Sequence, residues 1–336
     1  MRTLVSVLIP AYNAERWIAD TIHSVMSQTW ADKELIIVDD GSTDQTLSLA
    51  RSFESVRVKV ITQANAGASA ARNKALSLAQ GDYIQWLDAD DLIAPDKIGK
   101  QIRLVEDGES KTTLLSSSFG EFLARPESAE FRPTALWQNL TPVDYMLHRF
   151  IKNLWMSPAV WLVSRELVER AGRWDERLSL DDDGEYFSRL VSKSSGVRFV
   201  PQALSYYRRG NVKSLSRSVS ESAYESLLLS LQLCIGHLRS IEDSARTRAA
   251  CICLLQNWVD HSDVFYPDAA GRFRRAGEVA RALGGDLTPP KISWKYAPIH
   301  GLFGWNAVRQ TRATWSNLKL QARLQIDRIS PINSGK

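Results

Sequence analysis

The sequence contains little cysteine and no pattern of cysteine and histidine that would hold a metal. Its 336 residues include three cysteines and five histidines. Cys234, Cys251 and Cys253 lie in one late stretch and form neither a paired disulfide framework nor a zinc-ligand spacing. We therefore expect a reduced protein in which the cysteines fill the core and the histidines are structural.

The sequence also lacks a hydrophobic run long enough to span a membrane. A spanning helix needs about 18 or more apolar residues, whereas the run CICLLQNWV is short and is followed by Asp260 and His261. The opening stretch, MRTLVSVLIPAYNAE, passes from a short apolar run into a polar turn, which favours a first strand over a signal peptide. We expect a cytoplasmic protein.

Two glycine-rich signatures of phosphate binding are missing as well. The segment PAYNAERW follows the first predicted strand and contains neither G-x-G-x-x-G nor a glycine-rich loop with a lysine. The first absence argues against a dinucleotide-dependent dehydrogenase. The second argues against a nucleotidyltransferase, which we keep as the alternative enzyme class.

The first half of the chain alternates strand and helix signals. The hydrophobic fraction of 44% is enough for a sizeable core. Apolar runs of strand length occupy residues 4–12, 34–40, 56–62 and 83–88, and stretches with helical spacing separate them. This alternation predicts an α/β fold with a mostly parallel central sheet flanked by helices.

Polar and acidic side chains follow three of these strands. They are Tyr12 and Asn13, Asp39 and Asp40, and Asp88, Asp90 and Asp91. Ligands of parallel sheets bind at the carboxyl ends of the strands, where these residues should meet. Asp88 and Asp90 can both face one cation, and their oxygens suit Mg²⁺ or Mn²⁺. The alternative is a solvated loop in which Asp91 or Asp96 caps the next helix.

The chain changes character at about residue 216, where long helical periodicity begins. We expect a catalytic domain at 1–215 and a helical region at 216–336 that ends in a basic, aromatic tail, 290–336. Residues 271–330 hold 11 basic and three acidic side chains. Such a tail suits the anionic inner face of the cell membrane. It suits equally a helical subdomain that packs on the catalytic domain or on a second subunit of a homo-oligomer. No nucleic-acid-binding motif accompanies the charge, so no nucleic acid is expected.

Four ordered segments carry a resemblance to a known family. They are PAYNAE, ELIIVDDGSTD, NAGASAARNKAL and GDYIQWLDADD. In this order and spacing they resemble the family 2 glycosyltransferases of the GT-A fold, densely over residues 3–100 and thinly to about 215. The resemblance implies inverting transfer from a nucleoside diphosphate sugar, most often a UDP-sugar, to a glycan or lipid-linked acceptor in bacterial surface polysaccharide or glycolipid synthesis. The non-enzyme alternative is a catalytically silent binding or scaffold protein of the same fold.

The resemblance also assigns donor binding to particular residues. The donor-binding positions are Pro10, Ala11, Tyr12, Asn13, Glu15, Asp39, Asp40, Gly67, Arg72, Asp88, Ala89 and Asp90. Among them Tyr12 would stack on the base and Asp40 would hydrogen-bond it. Arg72 would meet a phosphate or a donor hydroxyl, and a plain helix-surface arginine is the alternative. Asp88 and Asp90 would contact the sugar and a Mn²⁺ or Mg²⁺ ion, with Asp90 as the direct ligand.

The same resemblance places the catalytic base in the segment GRWDERLSLDDDGEYFSRL. The base is expected at Asp183 with Asp182 as its partner, although the triple acid that begins at Asp181 leaves the register open by one residue. The alternative is an acidic first turn stabilised by the helix dipole. Arg208 and Arg209 match a basic segment that closes over the diphosphate, with a solvated strand end as the alternative. The donor sugar and the acceptor would both be set by loops, notably 120–160, together with a group of tryptophans. These are Trp137, Trp155 and Trp161.

Overall fold

A nine-stranded sheet forms the centre of the protein. This computed structural model describes residues 3–210, 220–261 and 269–289, and in the tail 298–299, 301–302, 311, 314–315 and 318–319. The strands are β1 (Val5–Ala11), β2 (Lys33–Asp39), β3 (Val58–Thr62), β4 (Tyr83–Trp86), β5 (Leu92–Ile93), β6 (Thr113–Phe122), β7 (Glu130–Phe131), β8 (Leu162–Ser164) and β9 (Gly196–Arg208).

Helices flank this sheet and continue beyond it. They are α1 (Ile18–Met26), α2 (Thr46–Arg51), α3 (Ala68–Leu78), α4 (Lys97–Glu106), α5 (Pro142–Ile151), α6 (Arg165–Ala171), α7 (Asp182–Lys193), α8 (Glu221–Ile241), α9 (Ala245–His261) and α10 (Ala269–Ala282). The expected α/β class with a helical C-terminal extension is confirmed.

The sheet is parallel in its first half and mixed in its second. The strand order is β3-β2-β1-β4-β8-β6-β9-β5, with β7 paired to β6. The pairs β1–β2, β2–β3 and β1–β4 are parallel. β8 then pairs antiparallel with both β4 and β6. The expectation of a mostly parallel sheet therefore holds for β1 to β4. The strands β1, β2 and β4 are buried on both faces, as is typical of parallel strands, whereas the edge strand β3 is only partly buried.

The topology brings the predicted polar residues to one edge of the sheet. β1 lies between β2 and β4, so the chain runs outward to β3 and then returns to the other side of β1. Such a switch point opens a crevice at the carboxyl ends of the neighbouring strands. We call the residues that follow these strands, 10–13, 39–40 and 88–91, the sheet edge.

One hydrophobic cluster joins the sheet to the C-terminal helices. It runs from Leu8 and Trp86 in the sheet to Leu228 on α8, Leu255 on α9 and Ala280 on α10. The division at residues 215 and 216 stays a prediction, and the core continues across it without a break.

The described part of the chain also bears on three other expectations. Cys234 and Cys251 are buried, and all three cysteines are free thiols. No helix among the described residues is both long and apolar enough to cross a bilayer. Most of the tail 290–336, with the membrane or packing role expected of it, lies outside the described residues.

Candidate active site

The loops that follow β1 and β2 are held to one another by hydrogen bonds from backbone N–H groups to side-chain oxygens. Asn13 adopts the left-handed region at φ 48°, and its Oδ1 accepts from the N–H of Thr43 at 2.9 Å. Glu15 accepts from the N–H of Gln45 at 2.9 Å, just before α2. Tyr12 lies directly before the first of these anchors and is 52% exposed. An aromatic ring presented in this way is suited to stacking on a planar ligand.

The two aspartates at the end of β2 are both buried but have different partners. Asp40 accepts from the N–H groups of Ala66 at 2.9 Å and Gly67 at 2.8 Å. Gly67 has φ +92°, which favours glycine, and it is the N-cap residue of α3. Asp39 accepts from Thr62 Oγ1 at 3.1 Å through Oδ2, while its Oδ1 is buried and has no partner in the described chain. Asp40 therefore holds the loop before α3 in place, whereas Asp39 has one carboxylate oxygen available to accept a hydrogen bond from a ligand.

Arg72 links the sheet edge to the acidic segment. It lies on α3 and is only 6% exposed, so the alternative of a plain helix-surface arginine is wrong. Its Nη2 lies 2.9 Å from Asp88 Oδ1, and its Nη1 lies 2.6 Å from Asp182 Oδ2. Burial lowers the pKa of Arg72, but the carboxylates of Asp182 and Asp88 raise it by more, so the guanidinium stays charged.

Of the three aspartates after β4, two are half-buried and one is fully buried. Asp88 and Asp90 are half-buried. Asp91 is fully buried and accepts from the N–H of Arg208 at 2.9 Å. Burial, together with the charges of Asp90 and Asp88, raises the pKa of Asp91 well above its usual range. Of the two residues that the alternative offered as a cap for α4, Asp96 holds the N-cap position, without a side-chain capping bond, and Asp91 does not cap the helix.

The adjacent arginines at the end of β9 have different surroundings. Arg208 is 9% exposed and its Nε donates to the carbonyl of Asp90 at 2.9 Å. Arg209 has a 55% exposed side chain, whose Nε lies 3.5 Å from Glu121 Oε2. Arg208 therefore supports the sheet edge, whereas Arg209 is a solvated strand end.

The acidic loop, residues 178–184, gives each of its three aspartates a different environment. Asp182 is bound by Arg72 and accepts from Ser69 Oγ at 3.1 Å. Asp183 accepts only from the N–H of Gly184 among the hydrogen bonds of the described residues. Withdrawal from solvent, with the charges of Asp182 and Asp181, raises the pKa of Asp183 to about 7. A carboxylate of that proton affinity is well matched to accepting a proton at neutral pH.

An aromatic stack supports the acidic loop from beneath. Trp174 stacks on Tyr186 with ring centroids 4.0 Å apart, and Trp86 meets Trp174 edge-on at 5.2 Å. The guanidinium of Arg72 lies 4.4 Å from the centroid of the Trp174 ring. Asn73 on α3 exchanges two hydrogen bonds of 2.9 Å with the backbone of Trp174. The segment before the acidic loop is thus fixed to the helix that carries Arg72.

The three tryptophans expected near the acceptor are not equivalent. Trp161 is fully buried in the core and Trp137 is half-buried. Trp155 is 39% exposed, and its ring meets Tyr207 edge-on at 5.0 Å. Burial, with the charges of Asp91 and Asp88, raises the pKa of Tyr207. Of the three tryptophans, Trp155 alone presents an exposed ring beside the acids.

Sequence reasoning missed the residues of α8 that contact the acidic loop. Ser230 Oγ lies 2.6 Å from Asp181 Oδ2, and Ser226 Oγ accepts from the N–H of Leu180 at 2.9 Å. A signal was available, because two serines four residues apart fall on one face of a helix whose other buried positions are almost all apolar.

Comparison with known proteins gives the same picture of the fold. Residues 6–172 match the family described as Glycosyl transferase family 2. A crystal structure of S. aureus TarS 1-349 in complex with UDP-GlcNAc superposes with a TM-score of 0.68, covering 83% of this chain and 81% of that TarS fragment. The two sequences are 19% identical, so the likeness concerns the fold, which is of the GT-A type.

Two bacterial relatives are more similar in sequence over shorter segments. TuaG of Bacillus subtilis (strain 168), whose name assigns it provisionally to teichuronic acid biosynthesis, is 39% identical over 141 residues. WfgD of Escherichia coli, named as a UDP-Glc:α-D-GlcNAc-diphosphoundecaprenol β-1,3-glucosyltransferase, is 43% identical over 103 residues. These alignments cover 39% and 30% of this chain. They span only 56% of TuaG and 41% of WfgD.

Proposed function

The chain belongs to glycosyl transferase family 2 through residues 6–172, and from that premise we propose that it is an inverting glycosyltransferase. It would move a sugar from a nucleoside diphosphate sugar to an acceptor hydroxyl. The observation that carries the proposal is the bridge made by Arg72 between Asp88 of the sheet edge and Asp182 of the acidic loop. This bridge holds the two halves of the site beside one another.

The sheet edge is the proposed donor site. Tyr12 would stack on the base, and a base N–H would donate to a carboxylate at the end of β2. Asp40 is the acid expected from the family resemblance. Asp39 would contact the base as well, because its buried Oδ1 has no hydrogen-bond partner among the described residues. UDP is the proposed nucleotide, and the UDP-GlcNAc bound to TarS supports it.

Asp88 and Asp90 are the proposed holders of a Mn²⁺ or Mg²⁺ ion. Both are half-buried at the rim, and the described residues contain no cluster of three or more His, Cys, Asp or Glu side chains that could bind a metal. Two carboxylates fit such an ion, since magnesium-type sites combine one or two carboxylates with water and substrate phosphates. The ion would supply neutralisation of the charge that develops on the departing diphosphate.

Asp183 is the proposed base. Its carboxylate would take the proton of the acceptor hydroxyl as that oxygen forms a bond to the anomeric carbon. The bond from that carbon to the diphosphate oxygen breaks, and its electron pair leaves with the nucleoside diphosphate. Attack from the face opposite the phosphate inverts the configuration at that carbon. The raised pKa of Asp183, about 7, supports this role.

The proposed acceptor is a glycan or lipid-linked sugar used in bacterial surface polysaccharide or glycolipid synthesis. The names of TuaG and WfgD support this class, and the reaction would take place on the cytoplasmic side of the membrane. Residues 290–336 would either contact anionic lipid or pack on the protein or on a second subunit. Deleting 290–336 and measuring binding to anionic vesicles separates these roles, because unchanged binding rules out the membrane role.

The proposal is tested by a thermal-shift screen of nucleotide sugars with and without Mn²⁺, followed by a nucleotide-release assay. A ligand that binds only the folded protein raises its melting temperature. Asp90→Ala should erase the metal-dependent part of the shift, while Asp96→Ala, which removes a nearby surface acid, should retain it. Absence of metal-dependent nucleotide release with every donor would favour a binding or scaffold protein.

A further inference from the structure

We infer that helix α8 positions the acidic loop. In this inference Ser226 and Ser230 hold the loop so that Asp183 faces the sheet edge. The inference rests on the proposed function of Asp183. It concerns a helix outside residues 6–172, where the family match ends, and it makes part of the helical region necessary for turnover.

Ser226 satisfies the backbone of the acidic loop just before the aspartates. Its Oγ accepts from the N–H of Ser179 at 2.8 Å and of Leu180 at 2.9 Å, and it donates to the carbonyl of Leu180 at 3.0 Å. Ser226 is 4% exposed, so these backbone groups lie where water has little access. Buried backbone N–H and C=O groups are costly without partners.

Ser230, one turn further along α8, holds the first aspartate. Its Oγ lies 2.6 Å from Asp181 Oδ2 and 3.0 Å from the carbonyl of Asp181. Asp181 adopts a left-handed backbone at φ 58° and ψ 29°, which is unfavourable for a residue other than glycine. The conformation therefore depends on contacts such as this one to persist.

Helix α5 contributes a cation to the same position. Arg149 Nη2 lies 3.8 Å from Asp181 Oδ1, and its side chain is 11% exposed. A Cβ at Gly184 would lie 2.1 Å from Asp181 Oδ1 and 2.6 Å from Arg149 Nη2, so glycine is required for this packing. Asp181 is therefore enclosed by α5, α7 and α8.

These contacts give the three aspartates of the acidic loop different roles. Asp181 is held by α8 and α5, and Asp182 is held by Arg72 and Ser69. Asp183, the next residue on α7, is bonded only by the N–H of Gly184 among the described residues, so its carboxylate is the one that remains for the proposed substrate. Ser226 and Ser230 are positioning residues, because they act through Asp181 and the loop backbone and touch no reacting atom.

Three serine-to-alanine variants of the full chain test the inference. Ser230→Ala and Ser226→Ala should each lower kcat for UDP release from UDP-glucose or UDP-GlcNAc with Mn²⁺ by about tenfold, with the donor KM unchanged, since a small displacement of a catalytic group is costly. Ser240→Ala is the matched control, because Ser240 is an exposed serine of the same helix whose Oγ bonds only the carbonyl of His237 among the described residues.

A second measurement does not depend on activity. Amide hydrogen exchange in residues 178–184 should be about tenfold faster in Ser230→Ala than in the wild type, while residues 63–67 and the Ser240→Ala variant stay unchanged. The effects of Ser230→Ala and Asp181→Ala on kcat should also be less than additive if the serine acts through Asp181.

Several outcomes would overturn the inference. It fails if both variants match Ser240→Ala in exchange and turnover, if donor KM and kcat change together, or if neither variant folds, which would indicate a purely structural role. An inactive wild type with the expected exchange difference would contradict the proposed function and leave the positioning of the loop supported.

Discussion

The first two loops of the sheet edge and the acidic loop are held in place by contacts of different sequence range. The loops after β1 and β2 bind each other across short intervals of sequence, as with Asn13 and Thr43, 30 residues apart. The acids after β4 are held from further away, because Asp91 accepts from Arg208, 117 residues along the chain. The acidic loop is held by residues that are distant in the sequence. Arg72 and Asp182 are 110 positions apart, and Ser230 and Asp181 are 49 positions apart. The loops after β1 and β2 are therefore assembled by neighbouring motifs, whereas the acids after β4 and the acidic loop depend on the completed fold.

The largest effect should come from removing the residue that joins the two regions. Arg72→Met should lower kcat/KM by about 1,000-fold, because donor orientation and the placement of Asp182 both fail. It should also lower the free energy of unfolding by about 3 kcal/mol, since two carboxylates lose a buried partner. Kinetics and urea unfolding measure both quantities. Arg170→Met, at an exposed ion pair with Glu166, is the control, and near-wild-type kinetics for Arg72→Met would refute the bridge.

The pH dependence of turnover should identify the acidic loop as the source of the base. Asp183 must be ionised to accept a proton, and its pKa is raised to about 7. kcat should therefore rise with pH and level off above about pH 7, falling about tenfold for each unit below that value. A profile that stays flat between about pH 5 and pH 8 would remove Asp183 from the proton transfer.

The sheet edge should respond mainly in donor binding and stability. Asp40→Ala removes the acceptor for the N–H groups of Ala66 and Gly67. We expect a loss of about 2 kcal/mol in the free energy of unfolding and a higher donor KM, with kcat kept. Asp40→Asn retains one acceptor oxygen and should recover part of the loss. A fall in kcat without a change in donor KM would contradict the division of roles.

The smallest effect should be a gain in stability from removing the base. A carboxyl whose pKa is raised on folding makes the folded state less stable as pH rises through the interval from its unfolded to its folded value. Asp183→Asn should therefore have a larger free energy of unfolding than the wild type at pH 8, by on the order of 1 kcal/mol after allowing for solvent screening, and should unfold at a higher temperature. Near pH 4 the two should be equal, and equality at pH 8 would indicate an ordinary surface acid.

The sequence predicted the sheet edge better than the rest of the site for a physical reason. Parallel strands covered on both faces read as continuous apolar runs, and their polar carboxyl ends meet wherever neighbouring strands pair. The four N-terminal strands and their parallel pairing follow from that pattern. The antiparallel insertion of the three-residue strand β8 between β4 and β6 does not, because so short a strand carries little pattern.

The sequence left the acidic loop undecided for an equally physical reason. Three adjacent aspartates are identical in the sequence, and only the residues that each one contacts in the folded protein distinguish them. Asp181 meets Ser230, and Asp182 meets Arg72. Those partners come from helices on either side of the loop in the sequence, so no local pattern could supply the register.

The most direct test of the account compares donor kinetics in one variant from each region. In a UDP-release assay with Mn²⁺ and a UDP-sugar, Asp90→Ala should raise the donor KM and lose metal dependence. Asp183→Asn should keep the wild-type donor KM and lose about 1,000-fold in kcat. Equal loss of donor affinity in both variants, or wild-type turnover by Asp183→Asn, would contradict the proposal that the sheet edge binds the donor and the acidic loop provides the base.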